Sequence, residues 1–205
     1  MKPDTENKKE IILDTACGLF AKFGFAKTTL DDVADAVGMK KGSLYYYFDS
    51  KEAIFSEVIN RMAAQILEKM KADVEQETNP RSAILKFVES GIRHSFDAIN
   101  VVGVSVQVKS EIMPLAYQIL NDFHAELMSY ICGIIDRGIK TGEFKACDSK
   151  RLAGAIHSVV EGAHCNALQK CSIHLHTAPD LESIIEEATY IVKLILDGLR
   201  PSAAS

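Results

Sequence analysis

His157, Glu161 and His164 recur at i, i+4 and i+7. On a helix that spacing puts two imidazoles and a carboxylate on one face, the donor types that hold a divalent transition metal. Cys165, Cys171, His174 and His176 thicken the cluster. No CxxC pair accompanies it, and the HExxH spacing of zinc proteases is missing. The face is therefore read as the polar part of a pocket wall or a solvated surface, with no metal and no cofactor. Metal or redox sensing through His157, Glu161 and His164 is the alternative. P-loop, GxSxG and GxGxxG motifs are missing as well, and nothing supplies a convincing nucleophile. The chain is read as not an enzyme.

A second group of residues suits a different chemistry. Lys40, Lys41, Gly42, Ser43, Tyr45 and Tyr46 fall within seven positions, and Lys51 follows shortly after. Leu44 and Phe48 are four apart and form the inner stripe of a short helix, leaving Tyr45 and Tyr46 pointing away from it. A tyrosine hydroxyl can donate to a phosphate oxygen, and its ring can pack on a thymine methyl. Gly42 lets a backbone approach closely. Lys41 and Ser43 occupy the first turn, where base edges are reached.

The elements that must position these groups are all helical. Ile11, Ile12, Thr15, Ala16, Leu19, Phe20 and Phe23 have helical spacing, and Gly24 stops that helix. Thr28 to Asp31 and Thr29 to Asp32 both fit a capping box, so a second short helix starts there and ends at Gly38. The third helix spans 41–48. Two short helices joined at Gly38-Met39-Lys40, with a third before them, make a helix-turn-helix whose second helix enters the major groove. A fourth helix carries Ile54, Val58, Met62, Ile66, Met70 and Val74. Glu75 to Pro80 is the clearest break, and a fifth helix follows. Residues 101–110 alternate Val with small or polar residues, a period of two that would suit a strand. With no second strand pattern to pair, they are read as irregular or a short helix. Pro114 opens a helix to about Lys140, Asp148 or Ser149 caps another to about Gln169, residues 170–179 form a loop, and 181–199 form the last helix. The expectation is an all-α chain of about nine helices.

The stretch Ala16-x-x-Leu19-Phe20-x-x-x-Gly24-x-x-x-Thr28-Thr29-x-x-Asp32-Val33-Ala34-x-x-Val37-Gly38-Met39-x-Lys41-Gly42-Ser43-Leu44-Tyr45-Tyr46-Tyr47-Phe48-x-Ser50-Lys51-Glu52 resembles the N-terminal signature of the TetR family of repressors. The resemblance covers roughly residues 10–55 and implies a three-helix DNA-binding domain, with a fourth helix linking it to a ligand-binding, dimerising domain. Domains are placed at 1–50 and 51–205. By the same resemblance, Thr28 and Thr29 begin the second helix and touch phosphate. Lys41, Gly42 and Ser43 approach bases and backbone, Tyr45 and Tyr46 contact phosphate or thymine, and Lys51 contacts phosphate. Lys40 departs from the family's usual Ser or Thr. It cannot accept from a backbone N–H, so it sacrifices a helix cap and adds a possible phosphate contact.

Composition sets limits on this reading. The chain has 205 residues, 47% hydrophobic and 25% charged, with a net charge of −5. The first sixty residues carry eight lysines against ten acids. DNA binding therefore depends on where the charges sit, not on how many there are. The five cysteines are scattered and odd in number, which argues for reduced thiols. The polar start lacks the apolar core of a signal peptide, and no uncharged apolar run could span a bilayer. The expected location is the cytoplasm, without a membrane partner.

The C-terminal half carries a surplus of apolar surface. Ile184, Ala188, Ile191, Ile195 and Leu199 make one face of the last helix, and Ile185, Val192 and Leu196 another. Leu152, Ile156, Val159, Val160, Ala163 and Ala167 do the same for the helix before it. A homodimer formed by this pair from each of two subunits uses both surpluses. Met62, Phe87, His94, Tyr117, Phe123, His157 and Glu161 are the expected lining of a pocket for a small apolar or aromatic effector. The overall expectation is a ligand-responsive regulator, acting as a repressor on a pseudo-palindromic double-stranded DNA operator.

Overall fold

The computed structural model describes residues 3–101, 114–116, 118–173 and 180–201. Every regular element among them is helical. In chain order these are α1 (Pro3–Phe23), α2 (Leu30–Val37), α3 (Lys41–Leu44), α4 (Lys51–Val74), α5 (Pro80–Val101), α6 (Asn121–Lys140), α7 (Ser149–Ile173) and α8 (Leu181–Asp197). Residues 114–116, 118 and 119 are also helical, and Leu120 forms a turn before α6. The Val-rich stretch after Val101, up to 113, and Tyr117 lie outside the described residues. Residues 170–173, expected in a loop, belong instead to α7, which runs to Ile173, and 174–179 lie outside the described residues.

The chain divides into two compact units, residues 1–64 with 98–121 and residues 65–97 with 122–205. The first is built on Ile12, Leu13, Ala16, Phe20, Val33, Ala34, Leu44, Phe48, Ile54, Phe55 and Val58. Phe20, Phe25 and Phe55 stack among themselves, with centroids 4.7–5.6 Å apart. Such ring pairs add specificity beyond the area they bury. The second unit's core gathers Leu67, Met70 and Val74 of α4, Ile84, Phe87, Val88 and Ile92 of α5, and Ile131, Ile134 and Ile135 of α6. Ile156 of α7 and Ile185, Val192 and Leu196 of α8 complete it.

The period-four stripe of α4 therefore feeds two cores. Ile54 and Val58 are buried in the first and Met62 packs on it, while Ile66 packs on the second and Met70 and Val74 are buried there.

Helix ends follow the local chemistry. Thr29 caps α2 through a full capping box. Its hydroxyl accepts from Asp32 N at 3.2 Å, and its own backbone N–H donates to Asp32 Oδ2 at 2.8 Å. The alternative box from Thr28 is not formed, because Thr28 is buried and its hydroxyl donates to Gly24 O at 2.8 Å. Gly38 ends α2 at φ 73°, a left-handed conformation that a side chain would disfavour. Asp148 caps α7 by accepting from Arg151 N, and Asp180 caps α8 by accepting from Ser183 N.

Candidate DNA-binding and effector sites

α3 is shorter than the sequence suggests. Regular helix covers Lys41–Leu44, and residues 45–47 continue as turn, with Phe48 N still bonded to Leu44 O at 3.1 Å. Two causes are visible. Lys40 makes no side-chain cap hydrogen bond, as its chemistry requires, and Gly42 with three successive aromatics has poor helix propensity.

Leu44 and Phe48 are buried, as their spacing demands, and Tyr45 and Tyr46 are turned outward at 46% and 77% exposure. Tyr46 rests edge-on against Tyr47, with centroids 5.1 Å apart. Thr29, Lys40, Lys41, Gly42 and Ser43 are all exposed. Lys41 donates to Asp31 Oδ2 at 2.9 Å, which raises its pKa. Asp31 and Lys41 thus tie α2 to α3 across the turn.

Two residues of the expected DNA face have other roles. Thr28 is 2% exposed and its hydroxyl is used inside the domain, so its side chain is not available to a phosphate. Lys51 donates to Phe25 O at 2.8 Å, and its ammonium lies 4.3 Å from the Phe25 ring centroid. It fastens the start of α4 to the turn between α1 and α2. An ammonium has three donors, so this bond leaves others for an anion.

In the second unit, α4, α5, α6 and α7 enclose a mostly apolar pocket of about 60 Å³. Ile66, Met70, Phe87, Phe123, Leu127, Ile131, Ile156 and Val160 line it, with His157, Glu161 and His164 as its titratable groups. Burial lowers the His157 pKa; Glu161 opposes the shift and His124 adds to it. Burial lowers the His164 pKa too, again against Glu161.

Of the residues expected here, Phe87, Phe123, His157 and Glu161 line the pocket. Met62 does not: it packs on the core of the first unit, because the α4 stripe changes cores just after it. His94 is also elsewhere, its Nε2 2.9 Å from Asp73 Oδ2. Asp73 in turn accepts from the Ser90 hydroxyl, the leading cause of its lowered pKa.

The sequence reading missed His124. It is on α6, and its ring lies edge-on to His157 at 5.4 Å between centroids. Its neighbour Phe123 was legible as a pocket residue, but nothing in the sequence pairs position 124 with position 157.

An exposed helix-turn-helix in one helical unit, together with a second unit that has its own pocket, defines a one-component DNA-binding regulator. Residues 12–58 match the family described as "Bacterial regulatory proteins, tetR family". The chain is 30% identical over 154 residues to the "Uncharacterized HTH-type transcriptional regulator YhgD" of Bacillus subtilis (strain 168), covering 72% of this chain and 77% of that one. It is 29% identical over 147 residues to the "HTH-type transcriptional repressor KstR2" of Rhodococcus jostii (strain RHA1), covering 69% and 70%. A crystal structure of a transcriptional regulator from Cytophaga hutchinsonii ATCC 33406 superposes with a TM-score of 0.74 at 26% identity, over 94% of this chain and 98% of that one. The chain belongs to the TetR family of transcriptional regulators. Among the described residues, no helix is long and apolar enough to cross a membrane.

Proposed function

We propose that this chain is a ligand-responsive repressor that binds a pseudo-palindromic operator as a homodimer and is released by a small apolar or aromatic effector. The functional division is 1–50 for DNA reading and 51–205 for effector binding and dimerisation. The observation that carries the reading is the tip of α3. Tyr45 and Tyr46 are large aromatics held out in solvent beside exposed Lys40, Lys41, Gly42 and Ser43. Folding alone does not account for such a group, whereas a duplex offers phosphates to the hydroxyls and lysines and base edges to the first turn of α3.

The pocket supports an effector that acts by strain. At about 60 Å³ it is far smaller than the few hundred Å³ that drug-sized ligands occupy. An aromatic molecule entering it displaces helices, α4 among them. Release from DNA then requires the effector to bind the displaced form more tightly than the DNA-bound one. Phe87 and Phe123 supply apolar wall, and His157 and Glu161 supply polar anchors.

The test is a gel shift on the DNA upstream of the chain's own gene, at several salt concentrations. The wild type should retard a site with two half-sites about one helical turn apart or a multiple of that. Tyr46→Ala should bind at least about tenfold more weakly, with an unchanged circular dichroism spectrum. Equal affinity of wild type and Tyr46→Ala would overturn the assignment of this face.

A further inference from the structure

His157 and Glu161 are one helical turn apart on α7, and His124 approaches them from α6. One ligating atom from each residue lies within 4.8 Å of the others. Two imidazoles and one carboxylate, drawn from two helices and each only partly exposed, form a donor set suited to zinc, cobalt, nickel or ferrous iron rather than to magnesium or calcium. Coordination at about 2.0–2.2 Å would need small side-chain rotations that draw the three donors together.

A second observation points the same way. His164 is one turn further along α7 and lines the same pocket as His157 and Glu161. Its Nε2 is buried and has no hydrogen-bond partner among the described residues. Buried ring nitrogens are normally satisfied, so one without a partner marks a place for a group supplied from outside. A donor such as water on an open coordination position of a metal would satisfy it.

We propose that His124, His157 and Glu161 bind one divalent transition-metal ion of the zinc class, with His164 accepting from a water on that ion. The ion occupies the polar end of the pocket and leaves the wall around Phe87 and Phe123 apolar. This goes beyond the effector reading above and does not depend on it, because metal binding is measured without DNA or organic ligand.

The experiment uses the full chain, stripped with a chelator and kept reduced, and titrates it with Co²⁺ and then with Zn²⁺ in competition. The expected result is one equivalent of Co²⁺ per chain, with ligand-field absorption of nitrogen and oxygen ligation and no thiolate charge-transfer band. His124→Gln, His157→Gln and Glu161→Gln should each weaken binding about a hundredfold or more, with the circular dichroism spectrum retained. His164→Asn should weaken it about tenfold, the size of effect expected of an outer partner. Failure of the wild type to bind stoichiometrically would overturn the proposal. So would binding that persists in all three ligand variants, or a thiolate band placing the ion on cysteine. If a variant fails to fold, protection of His124 and His157 from diethyl pyrocarbonate by Zn²⁺ in the wild type decides the matter. Loss of metal binding with an intact response to hydrophobic compounds would leave the effector reading in place, and the reverse result would leave the metal site.

Discussion

Gly138 on α6 is packed so tightly under Phe144 that a Cβ added to it would lie 2.2 Å from Phe144 Cδ2 and 2.4 Å from Cε2. Phe144 N also donates to Gly138 O at 3.1 Å, so the chain leaving α6 folds back over its own last turn. Phe144 is itself 2% exposed, which leaves the ring little room to retreat, and the same added Cβ would lie 3.1 Å from Pro80 Cβ. Gly138→Ala should therefore destabilise the protein by about 1–3 kcal/mol. Gly133→Ala, at an exposed position of the same helix with nothing within 4 Å, should stabilise it by about 0.5–1 kcal/mol. Guanidinium denaturation of both variants checks the pair. Equal effects would show that the contact is not sterically decisive.

Lys51 separates two roles that the sequence merges. Its bond to Phe25 O and its place over the Phe25 ring are part of the fold, whereas the family resemblance assigns it to phosphate. Lys51→Met should lower stability by about 1–2 kcal/mol through the lost charge-assisted bond and ring contact. If Lys51 also neutralises a phosphate, the slope of log affinity against log salt should flatten by about one unit per subunit. A flattened slope with unchanged stability would assign the residue to DNA alone. Lost stability with an unchanged slope would assign it to the fold alone.

Helix content, the capping box at Thr29 and Asp32, the buried pair Leu44 and Phe48 and the exposed pair Tyr45 and Tyr46 all follow from spacing and side-chain chemistry over a few residues. Thr28 shows the limit of such rules. Two overlapping capping boxes fit equally well, and only the burial of Thr28 in the folded unit, with its hydroxyl donating to Gly24 O, decides that it turns inward. Met62 belongs to a regular period-four stripe, and periodicity does not say where one core ends and the next begins. His124 meets His157 across 33 positions of chain, a separation at which local pattern carries no information.

Acid should weaken the second unit through its histidines. Burial lowers the pKa of both His157 and His164, so the folded state prefers the neutral rings. An unfolded imidazole titrates near about 6.5. The stabilisation is thus fully present above that pH and is lost as pH falls through it towards the lower folded-state values. The denaturation midpoint should drop between pH 7.5 and 5.5, and His164→Asn should shrink that drop. An identical pH dependence in the variant would show that His164 does not contribute to the effect.

Association should proceed through α8. Ile185, Ala188, Val192 and Leu196 are buried in the second unit's core, which uses one face of this helix. Tyr190, Ile191 and Leu194 remain 61%, 39% and 54% exposed on the rest of it, three large apolar side chains within five positions. Val159 and Ala163 of α7 flank the same surface, lining a depression with Ile184 and Ile191. A contiguous apolar patch of this kind on a monomer invites a partner, and a second copy placed by two-fold symmetry matches it with itself. The wild type should sediment as a dimer at micromolar concentration. Leu194→Glu and Ile191→Glu place charges where they would be buried in the dimer but solvated in the monomer, so each should shift the protein towards monomer. Operator affinity should fall with it, because a single recognition helix loses the avidity of two. Circular dichroism should stay unchanged, since neither side chain belongs to the fully buried core. A wild-type monomer, or glutamate variants that remain dimeric, would mean that α8 does not form the interface.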